Sequence, residues 1–335
     1  MNDLKEIGFY TLSNARVKQA SGESPMWRCE MIITDRCNFS CSYCRGLRKD
    51  CAGEMDLGKA LEVIDIWGKD GLKNIRFSGG EPTLHPHLKI LIARAKDWGM
   101  EHIAISTNGS QSLPTYFDLF REGVNDFSIS LDGCCAADID AMSGGDSKVG
   151  SRIVNNIREL SKITYVTTGI VITNINLPWL TDIIKFAHEL GVADIRIISA
   201  AQENMILEEA KRIPQEILDA HPILKYRVQN LHKGVPVRGL TKSDCSTCHL
   251  MQDDSVVAGD YHFPCIIYLR EGGDPIGKIN PDMRQERIAW LKSHNTFDEP
   301  ICRKNCLDVC SAYNNKFEDF MKLRKKLRDS PKTDK

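Results

Sequence analysis

The segment ITDRCNFSCSYCRG (33–46) carries Cys37, Cys41 and Cys44, spaced C-x3-C-x2-C. A structural zinc site closes with four ligands, and an ordinary iron–sulfur cubane is held by four cysteines. Three close thiolates can bind three irons of a [4Fe–4S] cubane and leave the fourth iron open. An open iron can take a substrate or cofactor, as an open zinc position takes water. A zinc site completed by a distant ligand is the alternative. A second group is Ser78-Gly79-Gly80-Glu81-Pro82. Glycines lack a Cβ and let backbone approach a ligand closely, and a carboxylate such as Glu81 can accept from an ammonium group. Cysteines return near the C-terminus as Cys245, Cys248, Cys265, Cys302, Cys306 and Cys310.

These groups need a scaffold. CEMIIT (29–34), NIRF (74–77), HIAIS (102–106), FSISL (127–131), YVTTGIVI (165–172) and DIRII (194–198) read as buried strands. Between them, 57–69, 87–99, 114–121, 151–161 and 178–190 carry helical signals. In 57–69, Leu57, Ala60, Leu61, Ile64 and Trp67 recur on one face, and Pro114 and Pro178 sit where helices start. Strands with near-continuous apolar runs, alternating with helices, imply a parallel sheet covered by helices. The fold class is therefore α/β, either an open doubly wound sheet or a partial barrel. In both, the ligand site lies at the carboxyl ends of the strands. The cysteine loop, the Gly-Gly-Glu segment, Thr107-Asn108, Asp132-Gly133, Thr173-Asn174 and Ser199 all follow strands in this way. Residues 203–232 read as helical with a break at Pro214, and 256–269 as a hairpin turning at Gly259.

The 335 residues suggest about two domains. Apolar content of 42% suits a chain with a full core, and a net charge of −1 gives no reason to expect nucleic-acid or anionic-membrane binding. No apolar run approaches a membrane span, and the N-terminal segment lacks the apolar core of a signal peptide. The expected location is the cytoplasm. In that reducing compartment, thirteen cysteines point to metal or redox chemistry rather than to a disulfide framework.

The loop Cys37-Asn-Phe-Ser-Cys41-Ser-Tyr43-Cys44 resembles the signature of the radical S-adenosylmethionine (SAM) superfamily. The Gly79-Gly80-Glu81-Pro82 segment, one strand–helix unit later, strengthens that resemblance. It implies a partial (β/α)6 TIM-like barrel with a smaller C-terminal cysteine-rich cluster domain. It also implies a [4Fe–4S] cluster on Cys37, Cys41 and Cys44, whose open iron binds the amino and carboxylate groups of SAM. An electron from the cluster cleaves SAM to methionine and a 5′-deoxyadenosyl radical, which abstracts hydrogen from substrate. By the same resemblance Tyr43, Gly79, Gly80, Glu81, Thr107, Asn108, Ser130 and Asp132 are the cofactor-binding candidates. An arginine that many relatives place about a dozen residues after the Ser130 strand is missing; this chain reads Asp140-Ala141-Met142-Ser143 there. Cys134 and Cys135 follow that strand and are candidate hydrogen donors to a substrate radical, as in some family epimerases. Cys29 is expected in the core and Cys51 in a loop.

Cys248-x10-Gly259-x5-Cys265 resembles the opening of the family's SPASM or twitch auxiliary-cluster domains. Six cysteines are too few for two fully cysteine-ligated [4Fe–4S] clusters, so one auxiliary cluster is favoured. Cys248 and Cys265 are its firmest ligands; spacing leaves open which two of Cys245, Cys302, Cys306 and Cys310 complete it, and a zinc closure is the alternative. The expected divisions are 1–28 as an extension, 29–205 as the barrel, 206–315 as the cluster domain and 316–335 as a basic tail.

The function expected is hydrogen abstraction from a small molecule or peptide, with an external one-electron reductant such as flavodoxin or ferredoxin. Only 28 residues precede the first strand, so a built-in peptide-recognition domain is not expected. A GTP cyclase-like enzyme of molybdenum-cofactor synthesis is an alternative, although the terminal SPKTDK lacks that family's Gly-Gly. A non-catalytic iron–sulfur or zinc protein is the alternative from another class.

Overall fold

The computed structural model describes residues 14–144, 149–200 and 208–329. Strands β1 (Arg28–Thr34), β2 (Asn74–Gly79), β3 (His102–Thr107), β4 (Asp126–Ser130), β5 (Tyr165–Ile172) and β6 (Asp194–Ser199) alternate with helices. They lie in chain order and pair in parallel throughout. The intervening helices begin and end at local signals. Asp56 caps Leu57–Asp70 by accepting from the Lys59 N–H, and Gly71 closes that helix in the left-handed region. Ser112 caps Leu113–Glu122, with Pro114 in its first turn. The result is the partial TIM-like barrel, open at the β6 edge.

The strands depart from the doubly apolar pattern expected. Met31, Phe77, Ile105, Phe127, Ile129, Ile170 and Ile195 join the main core. The intervening positions carry Glu30, Arg76, Ser106, Ser128, Thr167 and Arg196 on the opposite face of the sheet. Arg76 donates to Asp126 at 3.0 Å and to Ser106 at 3.1 Å. A barrel face that receives polar ligand rather than helix can keep such groups where they are mutually bonded.

The same sheet continues into the C-terminal third. β7 (Asp254–Ala258) pairs in parallel with β1, and β8 (Tyr261–Phe263) and β9 (Gly277–Lys278) follow antiparallel. One nine-stranded sheet therefore joins the barrel to the cysteine-rich segment. The expected hairpin turns at Gly259 but stops at Phe263; Pro264 breaks it, and Cys265 caps a short helix, Ile266–Arg270. Of the stretch 203–232, residues 203–207 lie outside the described residues, as does the 205/206 division. Beyond them a 3₁₀ turn (Glu208–Arg212) precedes the helices Gln215–Ala220 and Pro222–His232, with Pro214 between. The division at 316 falls inside one helix, Asp308–Asp329, whose Tyr313 and Phe317 are buried; 330–335 lie outside the described residues. Cys29 is core, as expected, whereas Cys51 ends a 3₁₀ turn and is buried against Ile32, Val256 and Ala258.

Asp253 ties the N-terminal segment to the C-terminal helix. It is fully buried, accepts from Arg16 Nε at 2.8 Å, and accepts from the Tyr313 hydroxyl at 2.7 Å. Replacing it by Ala would strand the buried Arg16 guanidinium. Asp253→Ala is therefore expected to lose about 3–5 kcal/mol in denaturant unfolding; a loss below about 1 kcal/mol would show the pair to be dispensable.

Candidate functional site

The cysteine loop leaves the end of β1 and is held from three sides. The Gly80 N–H donates to Thr34 O at 2.8 Å, and the Glu81 N–H donates to Arg36 O at 2.7 Å. Asn108 Nδ2 donates to Asn38 Oδ1, and Asn38 Nδ2 to Ser110 Oγ, each at 2.8 Å. Ser40 N–H donates to Ser143 O and Ser40 Oγ to Gly144 O, both at 2.9 Å. The stretch without the expected arginine thus contributes main-chain acceptors to the loop. Cys37 and Cys44 are exposed and Cys41 is half-buried. The Phe39 N–H lies 3.4 Å from Cys37 Sγ. Burial raises the Cys37 thiol, with Glu81 and Cys44 adding to the effect. Burial likewise pushes Cys41 up to about 11, aided by Asp132, Cys44 and Cys37. The three sulfurs therefore sense one another's charge. Such a set becomes fully thiolate when cations bind among the sulfurs, and N–H donors to sulfur are the environment that tunes cluster ligands.

The steric demand at Gly79 and Gly80 comes from this loop. A Cβ at Gly79, whose φ is +151°, would lie 2.2 Å from Thr34 O. One at Gly80 would lie 2.3 Å from Arg36 O and 2.5 Å from Asp35 O. The backbone that would have to move leads directly into Cys37. Gly80→Val is accordingly expected to cost at least about 1–3 kcal/mol and to reconstitute with about four fewer irons per chain. Full iron content with only weaker SAM binding would instead assign the glycine to ligand approach.

Glu81 is turned inward and is completely buried. Its Oε1 accepts from Thr83 Oγ1 at 2.6 Å and Thr107 Oγ1 at 2.7 Å, and its Oε2 accepts from the Asn108 N–H at 2.7 Å. The carboxylate therefore fastens the end of β2 to the end of β3. Thr107 is buried and bonded also to the Tyr116 hydroxyl at 3.0 Å, so it too faces protein. Asp132 is buried; it accepts from the Tyr43 hydroxyl and, at 2.7 Å, from the Val171 N–H. Burial pushes its carboxyl up to about 6 against those two bonds. Ser130, by contrast, is exposed at the end of β4. Cys134 Sγ lies 3.1 Å from Asp138, and Cys135 is exposed at the start of the helix Ala136–Ser143.

The C-terminal cysteines form a second site. Cys245, Cys248, Cys265, Cys302, Cys306 and Cys310 all line one pocket with Leu240, Leu250 and Ile267. Five of the six are electrostatically linked. Burial raises Cys265, and the charges of Cys248, Cys310 and Cys302 raise it further. Burial raises Cys302, and Cys248 and Cys310 contribute. Cys306 is raised by its hydrogen bond with Cys310, then by burial. Cys245 stands apart, with its sulfur, a His249 ring nitrogen and a Glu318 oxygen within 4.8 Å of one another. Sequence reasoning had no means to separate Cys245, because Glu318 lies 73 positions away.

The radical SAM superfamily model matches residues 31–187, the part of the chain that carries the cysteine loop and the Gly-Gly-Glu segment. Residues 31–187, a little under half of the chain, carry a radical SAM domain. A domain of this family implies an enzyme with a [4Fe–4S] cluster and SAM as cofactors. A probable GTP 3′,8-cyclase of Sulfurisphaera tokodaii is 27% identical over 171 residues, 50% of this chain and 54% of that protein. An AdoMet-dependent heme synthase of Nitratidesulfovibrio vulgaris is 30% identical over 49% of this chain and 46% of its own. The chain spans about half the length of the curated relatives it matches. Among solved structures, Streptococcus suis SuiB bound to precursor peptide SuiA superposes with a TM-score of 0.59 at 12% identity, covering 87% of this chain and 69% of SuiB. Native anSMEcpe with bound AdoMet and Cp18Cys peptide gives 0.55 at 16% identity, covering 91% and 99%. At these identities the likeness speaks for the fold, and it extends beyond the barrel into the cysteine-rich segment. No helix among the described residues is long and apolar enough to cross a membrane.

Proposed function

We propose that this radical SAM protein reductively cleaves SAM and abstracts hydrogen from a peptide or small molecule, with an auxiliary [4Fe–4S] cluster on its C-terminal cysteines. The observation that carries the reading is the pair of cysteine groups joined by one sheet: a three-thiol loop after β1 and a six-cysteine pocket built from residues on both sides of β7. Cys37, Cys41 and Cys44 would hold the first cluster, which would supply the electron for reductive cleavage of SAM. The Gly79-Gly80 main chain and Ser130 are the groups we assign to the face that receives SAM. Glu81, Thr107, Asn108, Asp132 and Tyr43 act as positioning residues, since their polar atoms bind the loop or neighbouring strand ends. In the second pocket, Cys248, Cys265, Cys302, Cys306 and Cys310 are the ligand candidates, and Cys245 is set aside. The enzyme would work in the cytoplasm with a flavodoxin- or ferredoxin-like reductant.

A second reading has its own support: several curated relatives are named GTP 3′,8-cyclase. Anaerobic incubation of the reduced enzyme with SAM and GTP separates the two. Consumption of GTP in step with 5′-deoxyadenosine formation would establish the cyclase reading. Formation of 5′-deoxyadenosine with GTP untouched supports the first.

A further inference from the structure

We propose that Arg238 is the centre of a buried oxyanion subsite that holds a carboxylate or phosphate of the substrate between the two cysteine sites. The placement between two clusters rests on the functional reading above; the subsite itself rests on side-chain geometry. Arg238 is 5% exposed, and its Nε and Nη1 have no hydrogen-bond partner. A guanidinium carries five donors and no acceptor, so a buried one without a carboxylate is costly. The surroundings worsen that cost. Burial lowers the proton affinity of Arg238 to about 10, and the like charges of Arg45 and Arg227 lower it too.

The neighbouring cations each have a carboxylate of their own and spare none for Arg238. Arg45 is paired with Glu271 and Arg227 with Asp308. Arg270 donates instead to two carbonyls, Gly46 O at 2.6 Å and Gly79 O at 3.0 Å, and its charge acts on Arg45. The described residues that bear on one another here are four arginines and three carboxylates, Glu271, Asp308 and, acting on Arg270, Glu30. A planar oxyanion would satisfy the forked donors of Arg238 and the excess charge together.

The location suits a substrate. Arg45 directly follows Cys44. On the other side, Arg238 forms a backbone bridge with Leu307, and the Gly239 N–H donates to Cys306 O at 2.9 Å. An anion on Arg238 would thus be held between the cysteine loop and the Cys306 end of the second pocket. The methionyl carboxylate of SAM is the other source of the same chemistry, and a separate arm of the test addresses it.

The test uses the anaerobically reconstituted full chain and two probes, inorganic phosphate and acetate, titrated separately by calorimetry. The wild type is expected to bind at least one of them at one site per chain. Arg238→Met should weaken that binding at least tenfold, and Arg238→Lys should recover part of it. In anion-free buffer, Arg238→Met should melt at a higher temperature than the wild type, because it removes an unpaired buried charge. SAM binding, followed by its effect on the cluster's electron paramagnetic resonance, should persist in Arg238→Met. The proposal is overturned if neither probe binds, if Arg238→Met binds as the wild type does, or if that variant melts lower in anion-free buffer. Loss of SAM binding in parallel would also overturn it, by assigning Arg238 to the SAM carboxylate. Iron content measured on the same samples reports separately on the cluster reading.

Discussion

Cys37→Ala/Cys41→Ala/Cys44→Ala protein, reconstituted anaerobically, is expected to retain about four irons per chain, the content of one cubane. The expectation follows from the separation of the two cysteine sites. The first three thiols lie on a loop after β1, bonded to the ends of β2 and β3 and to Ser143. The other six line a pocket built from the segment after β6 and the C-terminal helices. The two groups have no cysteine in common, so emptying one leaves the other its ligands. The pocket's apolar lining of Leu240, Leu250, Ile267 and Leu307 shields a cluster from water. Stoichiometric zinc with no iron–sulfur absorption would overturn the auxiliary cluster. About eight irons would require ligands beyond the four a single cubane uses.

Single substitutions within that pocket should divide sharply. Cys248→Ser and Cys265→Ser, made in the triple-Ala background, are each expected to remove most of the remaining iron. Both sulfurs interact with Cys310, and Cys248 also bears on Cys265, Cys302 and Cys306. Cys245→Ser in the same background should keep about four irons. Its thiol is raised by burial and answers to Glu318 and Lys322 rather than to the other thiols. Iron and sulfide assays decide the matter. Equal iron loss in the Cys245 and Cys248 variants would place Cys245 among the ligands and contradict the division.

The barrel was legible because each strand and helix is announced locally. Short β-branched runs stop at Ser, Thr, Asn or Gly, and helices start at Asp56, Ser112 or a proline. Cys37, Cys41 and Cys44 were legible as one group because the three thiols fall within eight residues directly after a strand. What was missed depends on distant partners or on period. Glu30, Arg76, Ser128 and Thr167 occupy alternate strand positions, a two-residue signal that reading the strands as continuously apolar passed over. Glu81 looks like a ligand-facing carboxylate until the end of β3 is known to lie beside it. The pairing of β7 with β1 joins residues more than 200 positions apart, beyond any local pattern. Arg238 is an ordinary arginine in sequence; its isolation exists only once the fold buries it beside Arg45 and Arg227.

Cys37, Cys41 and Cys44 are proposed to hold the cluster that cleaves SAM. The direct measurement is 5′-deoxyadenosine released per chain after anaerobic reduction with dithionite in the presence of SAM, for the wild type and for the triple-Ala protein. The reconstituted wild type is expected to release it steadily and the triple-Ala protein to release none above the protein-free control, although the latter keeps its C-terminal iron. Equal release by both proteins, or none by a wild type with both sites filled with iron, would contradict that assignment.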